Sequence, residues 1–420
     1  MTISVDVLVV GGGPAGSATS ALLARRGWRV ALIDRAVFPR LKPCGDYVNP
    51  GCDEVFERLG VRDAVAASAA PMRGMRLITP EGRTVALPFP RRTGWSIERA
   101  RLDHVLLQHA ARAGVAVRDG CRLLALDPRS PAVAVTVEHG RRRDRYLARL
   151  VVGADGLRSA VARAAGLHSA VRRGRYTVGA YLEGLTGHRD GGLPDWGVDG
   201  AAAGGAVAAP RSGRAPGWGE IHLRPGGYCG IAHLPDGLAN VTIAVPRAAV
   251  RAWRGNIEAG YWAWLHECPA LRDRLGRARR VAPFTAVGPL GYHRRAIGQG
   301  RVLLVGDSAA HADPITGQGV YLAVRGAELC AGAAGDALER AGLPSLRAYA
   351  YARWREFAPV FAASRLAQAL AFRPRMVRRA AAQLARHPDL RTRFIGVVGN
   401  TERPGAVLHP AVLARLLGWG

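Results

Sequence analysis

Lysine is nearly absent from this 420-residue chain: Lys42 is the only one among 59 basic residues, so the rest are arginines. Against 32 acidic residues they leave a formal net charge of +27. Such a balance can mark a nucleic-acid binder. No helix-turn-helix, zinc-finger or RNA-binding signature accompanies it, and few aromatics interleave with the arginines, so no nucleic-acid partner is expected. The arginines gather in GRRRDR at 140–145 and in the C-terminal segments, where they suit anionic cofactors or a membrane surface. Cysteine is scarce too. Cys44, Cys52, Cys121, Cys229, Cys268 and Cys330 form no C-x-x-C and no Cys/His cluster of zinc spacing, so no metal is expected. Reduced thiols are the default, and a Cys44–Cys52 disulfide, though allowed by spacing, is disfavoured. Long hydrophobic runs are missing as well. VDVLVV is too short for a signal-peptide core, and nothing approaches the ~20 apolar residues of a membrane span. A cytoplasmic location is expected, with peripheral membrane contact as the remaining lipid option. Low-complexity tracts are absent, and 49% hydrophobic residues describe a globular chain too long for one ordinary core.

The N-terminal stretch ISVDVLVV, GGGPAGSATSALLARRG, WRVALID predicts strand, glycine turn, helix, strand. Gly11, Gly13 and Gly16 fit G-x-G-x-x-G: a tight turn, close approach of a pyrophosphate, and close helix–strand packing. Pro14 and Ala15 open the helix, whose free N–H groups face the phosphates. Asp34 closes the second strand near the ~20-residue spacing of a ribose-binding acid, with Arg35 beside it. Dinucleotide binding follows, with NAD and FAD both open at this point.

Two later stretches add to this. LVVGADGLRSAVAR at 150–163 is a buried strand with Asp155-Gly156 opening a helix. RVLLVGDSAAHADPITGQGVYLAVRGAELC at 301–330 is a strand ending at Gly306-Asp307, a loop with Pro314, Gly317, Gln318 and Gly319, and a helix. In this order the three motifs resemble the flavoprotein hydroxylase superfamily, which includes para-hydroxybenzoate hydroxylase-like monooxygenases, flavin-dependent halogenases and the geranylgeranyl reductase family. The resemblance spans about residues 4–330 and implies FAD as cofactor, with the Gly-Asp motif on the ribityl chain through Asp307. It also implies that Arg99 in ERARLDHVL lies near the FAD phosphates, partnered by Asp103. Only one G-x-G-x-x-G is present, so NADPH or NADH would bind transiently.

KPCGDYVNPG at 42–51 is expected to be neither helix nor strand. PCGD resembles the P-C-G-[DG] of geranylgeranyl reductase-like proteins, which implies a mobile loop beside the flavin. Cys44 and Gly45 would then face the cofactor or substrate. Cys44 is expected to position rather than react, and Asp46 is a further candidate near the flavin.

Residues 170–290 predict an antiparallel sheet, with 190–217 a long loop over it. Prenyl-reducing members carry G-Y-x-W-x-F-P. Here Gly227-Tyr228-Cys229-Gly230-Ile231-Ala232-His233 lacks both large aromatics, which puts prenyl reduction in doubt. Trp262-Ala-Trp264 only mimics the halogenase motif and is expected to be a packing face. His311 is expected to bond its own loop backbone, and both it and His233 are catalytic candidates. The helix MVRRAAAQLARH is expected to be a solvated face of a lid-forming bundle.

The fold expected is α/β: a Rossmann-like FAD-binding domain with an inserted antiparallel-sheet substrate domain and a helical C-terminal tail. Its boundaries are 1–70, 98–168 and 296–345 for FAD, 71–97 and 169–295 for substrate, and 346–420 for the tail. The expected function is an NAD(P)H-dependent FAD monooxygenase of a hydrophobic or aromatic small molecule, in which O2 and reduced flavin form the hydroperoxide. Its rivals are a double-bond reductase of a prenyl or polyene chain and a protein using FAD structurally.

Overall fold

A computed structural model describes residues 1–128, 132–167, 174–187, 217–293, 296–342 and 344–419. The first strand, Thr2–Val10, lies between Arg142–Gly153 and Val30–Ile33, all parallel. Val302–Leu304 and Ala116–Arg118 extend the parallel order on either side. Its β-branched run belongs in a strand covered on both faces. Val7 and Val9 pack against Ala15, Leu23 and Cys330 of two helices, Pro14–Arg25 and Gly319–Glu339. Leu8 and Val10 point the other way, into Val135, Tyr146 and Val161. The right-handed strand–helix–strand crossover this requires is the doubly wound arrangement.

The second sheet runs Arg279–Arg280, Arg175–Glu183, Ala239–Pro246, Gly227–His233, Gly217–Arg224, Ala70–Ile78, Gly94–Ser96, Tyr47–Val48. It is antiparallel, as expected, except where Ala70–Ile78 runs parallel to Gly217–Arg224. Tyr47–Val48 corrects the expectation that 42–51 is neither helix nor strand. These two residues pair with Trp95–Ser96, and a helix begins at Gly51. Short polar turns with Pro and Gly hide such edge strands, because their pairing partner lies far along the chain. Apart from Gly217, the expected loop at 190–217 falls outside the described residues.

One face of this sheet is covered by the helix Ile257–His266, where Tyr261 and Trp264 join Val178, Ile231 and Ile243. Trp262-Ala-Trp264 is therefore a packing face. The other face carries the C-terminal helices. Leu384, Ala380 and Ile395 meet Met75 and Leu87. Burying one such large side chain contributes about 1.5–3 kcal/mol. The helix Pro374–Arg386 thus spends its apolar stripe on the protein and turns its arginines outward. The described part contains no helix long and apolar enough to cross a membrane.

The turn between first strand and first helix tolerates no side chain at Gly16, where a Cβ would lie 1.8 Å from the Gly11 carbonyl oxygen. Gly16→Ala should lower the urea midpoint sharply. Overpacking ordinarily costs about 1–3 kcal/mol, and backbone cannot move aside as a side chain can. A wild-type unfolding curve from this variant would refute the account.

Candidate active site

The dinucleotide turn is braced by the acid that follows the second strand. Asp34 accepts the backbone N–H of Gly12 at 2.7 Å through one oxygen and that of Ala36 at 2.8 Å through the other. Gly11 has φ +112°, and a Cβ there would meet the Ala154 carbonyl oxygen at 2.4 Å. Pro14 takes the first helical position, where its missing N–H costs nothing.

One continuous cavity of about 900 Å³ starts at this turn. Its polar end is lined by Gly11, Gly13, Pro14, Ala15, Asp34 and Arg35. A second set of lining residues, the waist, comprises Cys44, Gly45, Arg99, Asp155 and Asp307 together with Pro314, Gly317 and Gly319. Three residues assigned to the cofactor from sequence stand back from it. Gly16 packs on the turn, Gly306 lies under Ala15, and Gln318 donates to the Val398 carbonyl at 3.0 Å and accepts from Asn400. Gln318 therefore ties the glycine loop to the C-terminal helices, a partner 80 positions away that no motif announces.

At the waist Arg99 grips Asp103 with two bonds, 2.9 and 3.0 Å. Arg40 meets the same carboxylate at 3.1 Å and lies 3.9 Å from Asp34. The Arg99 guanidinium also lies close enough to the Cys44 thiol to act on it electrostatically. Burial pushes the Cys44 thiol up, although Arg99 pulls it down. Cys44 and Cys52 are both free thiols. Lys42, absent from the candidates drawn from sequence, also lines the cavity. Burial lowers its pKa and Asp307 raises it. Its being the sole lysine was the signal available.

The two histidines take different places. His311 lines the cavity, and its Nδ1 accepts the N–H of Gly291 at 3.3 Å. A short strand pairing, Ala310–His311 with Tyr292–His293, brings Gly291 near. His233 points to the sheet's other face, where its Nε2 lies 3.0 Å from Glu220. Glu220 is fully buried and also binds His222 at 2.8 Å and Arg274 at 2.7 and 3.0 Å. Period-two alternation places 233 opposite the cavity-facing Ala232. Asp46 is buried against Tyr181 and Asn240 and stands behind the cavity wall.

Beyond the waist the cavity becomes apolar. Met72, Met75, Ile221 and Leu223 of the sheet face Leu384, Phe394 and Leu416 of the C-terminal helices. Gly230 and Ala232, in place of large aromatics, leave this wall flat.

The residues present fit FAD. The Gly11 cradle has no room for a Cβ, the helix behind it has a free N-terminus, and Asp155 faces the cavity with a buried oxygen, Oδ1, lacking a hydrogen-bond partner. Residues 4–181 match the FAD binding domain family. Fold and site together define a FAD-dependent oxidoreductase. The chain is 30% identical over 373 residues to the digeranylgeranylglycerophospholipid reductase of Methanothrix thermoacetophila, covering 84% of this chain and 83% of that one. It is 29% identical to the menaquinone reductase of Mycolicibacterium smegmatis, covering 76% and 74%. A flavoprotein/dehydrogenase structure from Cytophaga hutchinsonii superposes with a TM-score of 0.81 at 18% identity, covering 99% of each chain. Flavin-dependent halogenases are also among the similar proteins. The chain belongs to the flavoprotein hydroxylase superfamily, on its geranylgeranyl reductase-like side.

The Glu220 network should show itself in stability. Burial pushes this carboxyl up, but hydrogen bonds from His222, His233 and Arg274 hold it well below the usual carboxylate range. Its contribution is therefore present above the ordinary value of about 4.5 and lost as pH falls through the depressed one. Glu220→Gln leaves Arg274 poorly paired, and removing one partner of a buried ion pair costs about 3–5 kcal/mol. In urea titrations the deficit should be full at pH 7 and shrink on acidification. A constant deficit would contradict this.

Proposed function

We propose that this protein is a FAD-dependent reductase that saturates carbon–carbon double bonds in a long apolar, isoprenoid- or polyene-type molecule, with NADPH or NADH as transient reductant. The observation that carries the reading is the apolar lining of the cavity, with Met75 on the sheet and Leu384 on the C-terminal helices. A long apolar chain held against the flavin requires such a lining along its length. Reductases among the relatives point the same way.

Bound FAD would supply the hydride. The protein's residues do the rest. Gly11, Asp34 and the helix N-terminus hold the dinucleotide. The Arg99–Asp103 pair fixes the waist, and the small Cys44 side chain bounds the place where substrate meets cofactor. The apolar walls exclude water and hold the chain in register. A substrate of this kind resides in lipid. Peripheral membrane contact fits that, because Tyr351 and Trp354 stand stacked and exposed on the helix Leu346–Ala371, with Arg347 and Arg355 exposed nearby.

A second reading is oxygenation of a hydrophobic or aromatic molecule by reduced flavin and O2. It is favoured by Gly230 and Ala232, which leave room at the cavity wall for a broad ring system.

Stopped-flow absorbance separates these readings. The FAD-loaded protein is reduced anaerobically with NADPH or NADH and then mixed with oxygenated buffer. Direct return of the oxidised spectrum is expected, with reoxidation accelerated anaerobically by a polyprenyl acceptor. A distinct absorbing species before reoxidation would favour oxygenation. Flavin that neither nucleotide reduces would favour a structural FAD. For the long-chain reading, Leu384→Trp should plug the far end, raising KM for long acceptors at least tenfold while sparing a short one. Equal effects on both lengths would count against the tunnel.

A further inference from the structure

One side chain, Asp46, ties down the loop that carries Cys44. Its backbone has φ +52°, a region non-glycine residues seldom occupy, and it is 1% exposed. One carboxylate oxygen accepts the Tyr181 hydroxyl at 2.6 Å and the Asn240 amide at 2.8 Å; the other accepts the backbone N–H of Arg99 at 3.1 Å. The same Asn240 amide donates to the Cys44 carbonyl at 3.0 Å, and the Thr242 hydroxyl reaches it at 3.3 Å. Asp46 thus fastens the loop to two strands of the second sheet and to the first residue of the helix Arg99–Arg112.

The hydrogen bonds onto this carboxylate come from uncharged groups. The Arg99 guanidinium is nearby but is engaged by Asp103 through two bonds. Ala239–Pro246 contributes only the neutral Asn240 and Thr242. Arg175–Glu183 contributes Tyr181, which Glu98 also faces, and the loop itself contributes the Cys44 thiol. A neutral carboxylic acid is satisfied here, since a tyrosine oxygen accepts as well as donates and 2.6 Å suits an O–H···O bond.

We propose that Asp46 is a positioning residue whose neutral form clamps the Cys44 loop over the cavity and whose ionisation releases it. Burial pushes this carboxyl up to about 7, against the bonds from Tyr181, Asn240 and Arg99 that pull it down. In a released loop it would meet water and return toward the ordinary value of about 3.9. A group with the higher pKa in the clamped state favours clamping at low pH, and the clamp weakens as pH rises through about 7. The inference goes beyond the reductase reading and holds for either flavin reaction, because it concerns the loop and not the turnover.

The test is the rate of Cys44 alkylation by N-ethylmaleimide on the intact FAD-loaded protein, followed by peptide mass spectrometry. Wild type and Asp46→Asn are compared at the same pH, so that the reagent's own pH dependence cancels. The wild-type to variant ratio should be near one at pH 6 and rise several-fold by pH 8.5. A ratio flat across that range, or one rising toward acid, overturns the proposal. Cys52, buried in the same chain, is the internal control, and Cys52 labelling in step with Cys44 overturns the proposal too, since it reports global opening. Asp46→Gly suits the left-handed backbone and removes every side-chain tie. It should label faster than Asp46→Asn throughout, and equal rates would show that the side chain does not hold the loop.

Discussion

A single buried carboxylate, Asp103, holds the two ends of the site in one frame. It is fully buried and takes Arg99 on one side and Arg40 on the other. Arg40 continues toward Asp34 and the dinucleotide turn, and Arg99 continues toward Cys44. Removing one partner from such an arrangement strands a charge away from water, which costs several kcal/mol. The distance between the phosphate-facing turn and the Cys44 loop is therefore set by charge pairing rather than by loop stiffness. That pairing lets a mobile-looking Pro-Cys-Gly sequence serve as a wall.

Around this frame the cavity is a shared construction. The parallel sheet supplies the polar end, because strand-to-helix turns leave N–H groups pointing outward at its edge. The second sheet supplies a flat apolar wall, and the C-terminal helices close the opposite side. Gln318 joins the glycine loop at the flavin end to those helices through Val398 and Asn400, so cofactor loop and lid share hydrogen bonds. Polar groups thus serve the cofactor end, and apolar side chains line the rest of the cavity.

Much of the first unit was legible because its residues act locally. Gly11, Gly13, Gly16 and Asp34 sit within one strand–helix–strand, and steric needs dictate their types. Asp155 and Asp307 were legible for the same reason, each ending a buried strand. The second sheet was legible in kind from its alternation, though not in order. The Tyr47–Val48 edge strand and the parallel pairing of Ala70–Ile78 depend on partners far along the chain. The face taken by His233, toward Glu220, was not legible, since a one-residue offset in a strand reverses the side chain. His311 found its partner at Gly291 only through a two-residue strand pairing.

By itself, the sequence determined that this chain would bind a dinucleotide on a parallel sheet, because glycine spacing, a buried strand and a following acid are local demands of the backbone. Motif order determined the flavoprotein family. Tertiary structure alone decided how far the cavity extends, which face each histidine takes, and what Asp46 holds. Those properties arise from groups that meet across the chain, 20 positions apart for His311 and Gly291 and 194 for Asp46 and Asn240, and no local propensity encodes such meetings.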